Sequence, residues 1–171
     1  TRRASDLKNI VDFLRKNYPC FKIIISTDNR NHLYTDVLSA LFSNTDIQLN
    51  IKKSMSLNDF VTLVNNSSLL ISSDSGGAHL GAMLKTPCIV LGGYWEEPNF
   101  FPYNYDEQIS DKQLCYILPR EKPVCAYCRN RMKYYELDSC NERIKNHQCA
   151  KCLSEIDMED VKNSIQNILE I

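Results

Sequence analysis

Glycine is scarce in this chain, and so are charge imbalance and long apolar runs. Of 171 residues only five are glycine and one is tryptophan. Twenty basic against 21 acidic side chains leave a net charge of −1. Neither the basic excess of a nucleic-acid binder nor the acidic run of a solvating tail is present. No apolar stretch approaches the ~18 residues needed to span a bilayer. No signal peptide precedes the first helical pattern, and no Asp-x-Asp pair of the kind that holds a divalent cation on a diphosphate occurs. What remains is ordinary: 43% apolar and 24% charged residues, as in average globular proteins. The length suits one domain of ~100–200 residues. The chain opens on Thr1 rather than Met, which reads as a piece cut from something longer.

Helical and strand patterns alternate along it. Leu7, Ile10, Val11 and Leu14 recur at helical spacing over residues 6–17, with Ser5 as the expected N-cap and Pro19 as the stop. "FKIIIS" (21–26) is a short β-branched run, so a buried strand. Leu33, Val37, Leu38 and Leu41 mark a second helix, and "DIQLNI" (46–51) a second strand. Ser56 and Asp59 form a capping box ahead of Leu57, Phe60, Val61 and Val64. Strands follow at 68–72 and 88–91, with a helix from about Gly76 to Leu84 between them; "QLCYIL" (113–118) is one more strand. A closing helix capped by Asp157 carries the stripe Met158, Val161, Ile165, Ile168 and Leu169. The alternation predicts an α/β fold with a doubly wound, Rossmann-like parallel sheet. Residues 1–119 read as that domain, 120–156 as a cysteine-rich insertion, and 157–171 as a helix packing back.

All five glycines fall within "SSDSGGAHLGAMLKTPCIVLGG", Ser72 to Gly93. In a parallel sheet, ligands gather beyond the carboxyl ends of the strands. There "DSGG" turns the strand into a helix whose first N–H groups lack intrahelical partners. The helix dipole adds about half a positive charge at the same point. The combination suits a phosphate or carboxylate. Gly76 and Gly77 let an anion approach the backbone, Ser75 offers a hydroxyl donor, and His79 in the first turn could donate to the same anion. Asp74 is acidic, so it is expected to cap the helix or bond the backbone of the turn. Gly81, inside the helix, costs ~1 kcal/mol relative to alanine and implies a close helix–strand or helix–ligand contact. Gly92 and Gly93 leave the neighbouring strand end uncrowded. The plain alternative is a tight turn with no ligand.

"LLISSDSGGAHLGAMLKTPCIVLGG" resembles the donor-binding signature of glycosyltransferase family nine, the ADP-heptose:lipopolysaccharide heptosyltransferases. Asp74, Ser75, Gly76, His79, Thr86, Pro87 and Gly92 carry the match. "SLNDFVTLVNNSSLLIS" and "CLSEIDMEDVKNSI" resemble the segments before the signature and at the family's end, so the likeness spans most of the chain. Gly77 and Gly81 depart from it, standing where proline and alanine are usual. The resemblance implies the C-terminal, donor-binding half of a two-domain GT-B enzyme. Its cofactor-like ligand would be a nucleotide-diphosphate sugar of the ADP-heptose kind. His79 becomes the catalytic candidate, and Asp74, Ser75, Gly76, Gly77, His79, Gly92 and Gly93 the donor-binding set. Helix amides, Ser75 and His79 would stabilise the charge growing on the leaving diphosphate, so no catalytic divalent cation is expected. Arg2 or Arg3 could add positive charge, and the loops Thr27–His32 and Tyr94–Pro98 are candidates for base and sugar contacts. An acceptor glycan, lipid-linked or lipopolysaccharide, would bind the missing N-terminal domain. The fragment is expected to bind without catalysing, in the cytoplasm or at the inner face of a bacterial inner membrane. "DSGG" also occurs in UDP-N-acetylglucosamine 2-epimerases, which share the fold. There a glutamate pair follows, where this chain has His79 and Leu80.

Eight cysteines complete the picture. Cys20, Cys88 and Cys115 sit among apolar residues and are expected to be buried thiols. The other five form Cys125-x2-Cys128-x11-Cys140-x8-Cys149-x2-Cys152. Two C-x2-C knuckles around an intervening cysteine resemble a tetrahedral thiolate site for structural zinc or iron. Cys125, Cys128, Cys140 and Cys152 are the favoured ligands, with Cys149 and His147 as competitors. Reduced thiols, a disulfide scaffold, and a nucleic-acid zinc module around "RNRMK" are the alternatives. A metal-stapled α/β interaction domain without catalysis is the non-enzymatic reading.

Overall fold

The computed structural model describes residues 2–27, 32–45, 48–51, 55–94, 114–122 and 151–170. These group into two compact units, residues 1–60 and 61–171.

In the first unit, helix α1 (Arg2–Asn17) is followed by strand β1 (Ile24–Thr27), helix α2 (His32–Phe42) and strand β2 (Gln48–Ile51). The two strands pair in parallel, Ile24 opposite Gln48 and Thr27 opposite Ile51. α1 starts earlier than the spacing predicts: Arg2, Arg3 and Ala4 are good helix formers, so Ser5 lies inside the helix and is not its N-cap. Pro19 does end it, after the Tyr18 amide donates to the Leu14 carbonyl at 2.7 Å. The core here is Val11, Leu38 and Phe42, with Leu7, Ile23, Ile25 and Leu41 packed against it. Val37, expected inside, is exposed, because the buried stripe of α2 runs Leu38–Leu41–Phe42 instead. Cys20 is exposed too, since it follows Pro19 in the turn that leaves α1.

Helix α3 (Leu57–Asn65) carries the expected cap: the Asp59 amide donates to Ser56 Oγ at 3.1 Å. Leu57 projects outward in this first turn, 73% exposed, and Val64 is the residue the helix buries.

The second unit holds strand β3 (Leu70–Ser73), helix α4 (Gly76–Met83), strand β4 (Cys88–Leu91), strand β5 (Leu114–Ile117), the short helix α5 (Lys151–Ser154) and helix α6 (Met158–Leu169). Its sheet has the order β3-β4-β5, all parallel. Alternation along the strands sorts the two faces. Cys88, Val90, Leu114 and Tyr116 share one face with Ala78 and Ala82 of α4. Cys115, on the other face, meets Ser164 of α6 at 3.2 Å between Sγ and Oγ. Val161 and Ile165 of α6 are fully buried, as the stripe requires. Asp157 caps α6, accepting from the Glu159 amide at 2.9 Å. Arg120, just past β5, forks onto Asp160 through Nε and Nη2 at 3.0 and 2.8 Å and reaches Asp157 as well. That bond holds the Asp160 carboxyl below its ordinary range.

The α/β class with parallel strands is therefore observed. Three of the four favoured metal ligands, Cys125, Cys128 and Cys140, lie outside the described residues, as do Cys149 and His147. Cys152 is buried in α5. Among the described residues no group of His, Cys, Asp or Glu side chains could hold a metal ion. None of the described helices is long and apolar enough to cross a membrane.

Candidate anion site at the start of helix α4

β3 and β4 are both four residues long and end level with one another, Ser73 opposite Leu91. The ladder runs one bond further, with the Asp74 amide donating to the Leu91 carbonyl at 3.3 Å. Gly92 extends the next pairing, its amide on the Ile117 carbonyl at 2.9 Å. The chain therefore leaves β3 at a fixed height, and α4 starts two residues later.

Ser75 is the N-cap residue of α4, in extended conformation (φ −161°, ψ 175°). A serine here normally accepts from the second or third helical amide. This one makes no such bond. Its hydroxyl reaches back to the Ser73 carbonyl at 3.1 Å and lies 3.3 Å from Ser72 Oγ, which itself reaches Ser73 O at 2.9 Å. Intrahelical bonding begins at Ala78, whose amide donates to the Ser75 carbonyl at 2.9 Å, followed by His79 on the same oxygen at 3.2 Å. The amides of Gly76 and Gly77 meet no acceptor among the described residues. A Cβ built on Gly76 would touch nothing within 4 Å, so the space beside this backbone is open. The first turn carries no acidic residue to neutralise it. Two glycine amides, the positive helix end and free space thus coincide. Gly76, Gly77 and His79 are brought together in this first turn, Gly76 exposed and His79 half-buried.

Asp74 does something other than what the sequence suggests. It makes no helix cap. Its Oδ2 accepts from the Tyr116 hydroxyl at 3.1 Å. Tyr116 comes from β5, two strands away, and crosses the end of β4 to get there. Gly92 is what lets it cross: an added Cβ would lie 2.3 Å from both Cζ and the hydroxyl oxygen of Tyr116. The missing side chain at Gly92 accommodates a protein ring and leaves no open strand end. Gly81 likewise serves helix–strand packing, since a Cβ there would sit 2.7 Å from Leu70 Cδ2. Tyr116 is the residue that sequence reasoning passed over. Its one signal is a tyrosine inside an apolar strand, where the hydroxyl must find a partner.

Gly93 is buried beside Gly92. Thr86 and Pro87 are architectural. The Thr86 hydroxyl donates to the Val64 carbonyl at 3.0 Å, and the Leu70 amide donates to the Pro87 carbonyl at 2.8 Å. Residues 28–31 and 95–98 of the two candidate rim loops lie outside the described residues, and Arg2 and Arg3 belong to the first unit.

A parallel sheet with an uncapped, glycine-lined helix start beyond its strand ends is the architecture of an open α/β protein. The family model for glycosyltransferase family 9 (heptosyltransferase) matches residues 24–134. The chain belongs to that family. A search of curated proteins returns no match. Among solved structures, a glycosyl transferase family 9 protein from Veillonella parvula DSM 2008 is similar in fold, with a TM-score of 0.62 at 17% identity. The likeness covers 98% of this chain and 42% of that one. This chain therefore spans less than half the length of that relative.

Proposed function

We propose that this chain is the donor-binding part of a glycosyltransferase, gripping the diphosphate of a nucleotide sugar at the start of α4. The observation that carries the reading is the N-cap Ser75 turned away from the first turn of α4, where the backbone at Gly76 has open space beside it. As the glycosidic bond to the donor breaks, negative charge accumulates on the departing diphosphate. Fixed amides at the positive end of a helix stabilise that charge more than they stabilise the intact donor. His79, one turn in, can donate a hydrogen bond or a proton to the same oxygens. Neutralisation by the protein removes the need for a divalent cation at the phosphates. The donor proposed is an ADP-heptose-like sugar. The acceptor, a lipopolysaccharide or another glycan, would bind a separate N-terminal domain in the cytoplasm or at the inner face of a bacterial membrane.

Calorimetry with ADP and with UDP tests the reading. ADP should bind more tightly, and His79→Ala should weaken it roughly 10-fold, the effect of one charge-assisted hydrogen bond. Unchanged affinity in the variant removes His79 from the site. A preference for UDP favours the epimerase-like alternative. Cys125, Cys128, Cys140 and Cys152 are proposed to hold a structural zinc or iron ion, with thiolates matching either metal. Elemental analysis of the purified protein decides that, with about one equivalent expected.

A further inference from the structure

We propose that Tyr116 is a positioning residue that keeps the anion site open by holding Asp74 away from it. The inference rests on the donor-binding reading given above. Asp74 lies two positions before Gly76. An aspartate at that offset readily bends its carboxylate onto the i+2 amide. Such a bond would occupy a donor meant for the diphosphate and set a negative charge beside it. Here the carboxylate does not cap. Oδ2 instead takes the Tyr116 hydroxyl at 3.1 Å. The arrangement is built from three strand ends. Asp74 continues β3, its amide tied to Leu91 of β4. Gly92 continues β4 and lacks the side chain that would block the ring. Tyr116 reaches across from β5, its ring packed against the buried cluster of Ala78, Ala82, Cys88 and Val90. A ring anchored in the core has few ways to move, so its hydroxyl is a fixed hook for the carboxylate.

The hook acts on binding by removing a competitor. With it gone, Asp74 rotates onto the Gly76 amide, and an incoming diphosphate must displace it. Tyr116→Phe removes the hydroxyl while retaining the ring over Gly92, so the packing stays. Two measurements on the variant test the proposal. Amide hydrogen exchange at Gly76 should slow, and ADP affinity by calorimetry should fall, each by roughly 2- to 30-fold, the equilibrium equivalent of one new cap bond. In an Asp74→Ala background the same tyrosine change should alter neither quantity. Unchanged Gly76 exchange in Tyr116→Phe overturns the proposal, as does an equal loss of ADP affinity with Asp74 present or absent. If the wild-type chain binds no ADP, the donor-site reading fails instead, and the exchange comparison still decides the role of Tyr116.

Discussion

Replacing Gly92 by alanine probes the crossing of Tyr116 directly. The new Cβ would lie 2.3 Å from Cζ, 2.3 Å from the hydroxyl oxygen and 2.8 Å from Cε1 of the tyrosine. All three separations are well inside van der Waals contact, so the ring must swing. It is packed against the α4 face of the sheet, which makes the movement costly. Overpacking of this kind costs about 1–3 kcal/mol. The displaced hydroxyl also loses Asp74, worth about 1 kcal/mol for a half-exposed bond. Against these, alanine stiffens the unfolded chain and returns about 0.4–1 kcal/mol. The balance is a destabilisation of about 2 kcal/mol, or roughly 4–8 °C in Tm at this chain length. Urea denaturation followed by circular dichroism measures it. Tyr116→Phe should not rescue the variant, because Cζ and Cε1 remain in the way. Tyr116→Leu should, leaving Gly92→Ala neutral or slightly stabilising. A Gly92→Ala protein as stable as wild type would refute the geometry, and so would a penalty of the same size in the Tyr116→Leu background.

Gly81→Ala sets a helix-propensity gain of about 1 kcal/mol against the 2.7 Å approach to Leu70 Cδ2. The variant should be no more stable than wild type, whereas in a Leu70→Ala background the same change should stabilise by about 1 kcal/mol in thermal melts. Lys85 ends α4 with φ 57°, the left-handed conformation that closes a helix when the following amides bond back, here Lys85 to Ala82 and Thr86 to Gly81. Lys85→Gly should therefore raise stability by about 1 kcal/mol in urea melts. Burial pushes the Cys88 thiol up to about 12. The folded form thus holds a proton that the unfolded thiol has lost, so stability should fall as pH rises from about 9 towards 12, by about 1.4 kcal/mol per pH unit. Cys88→Ala should flatten that slope in urea melts, whatever it does to the absolute stability.

Local signals survive into the structure. β4 occupies the four residues the sequence marks, because Pro87 precedes it and Gly92 follows it. The caps at Ser56 and Asp157 are set by residues two or three positions away, so they too can be read from a line of text. Faces of short helices are harder. Val37 and Leu38 are neighbours of equal apolarity, and only the position of the sheet decides which is buried. The site divides in the same way. The glycine turn and its unbonded amides follow from the local sequence. The partner of Asp74 does not, being 42 residues further along on another strand. Nor does the reason for Gly92, whose absent side chain has meaning only once Tyr116 lies across it.

The hydroxyl of Thr86 reaches a helix end rather than a ligand. Val64 lies in the last turn of α3, and its carbonyl already accepts the Ser67 amide at 3.1 Å. Thr86 adds a second donor from the segment that leads into β4, and the contact is sealed from water. The end of one helix and the root of the central strand are thereby bolted together and cannot shift independently. A threonine that looks chemical in the motif thus serves as a fastening, setting the level from which the neighbouring strand, and the glycine turn beside it, are measured.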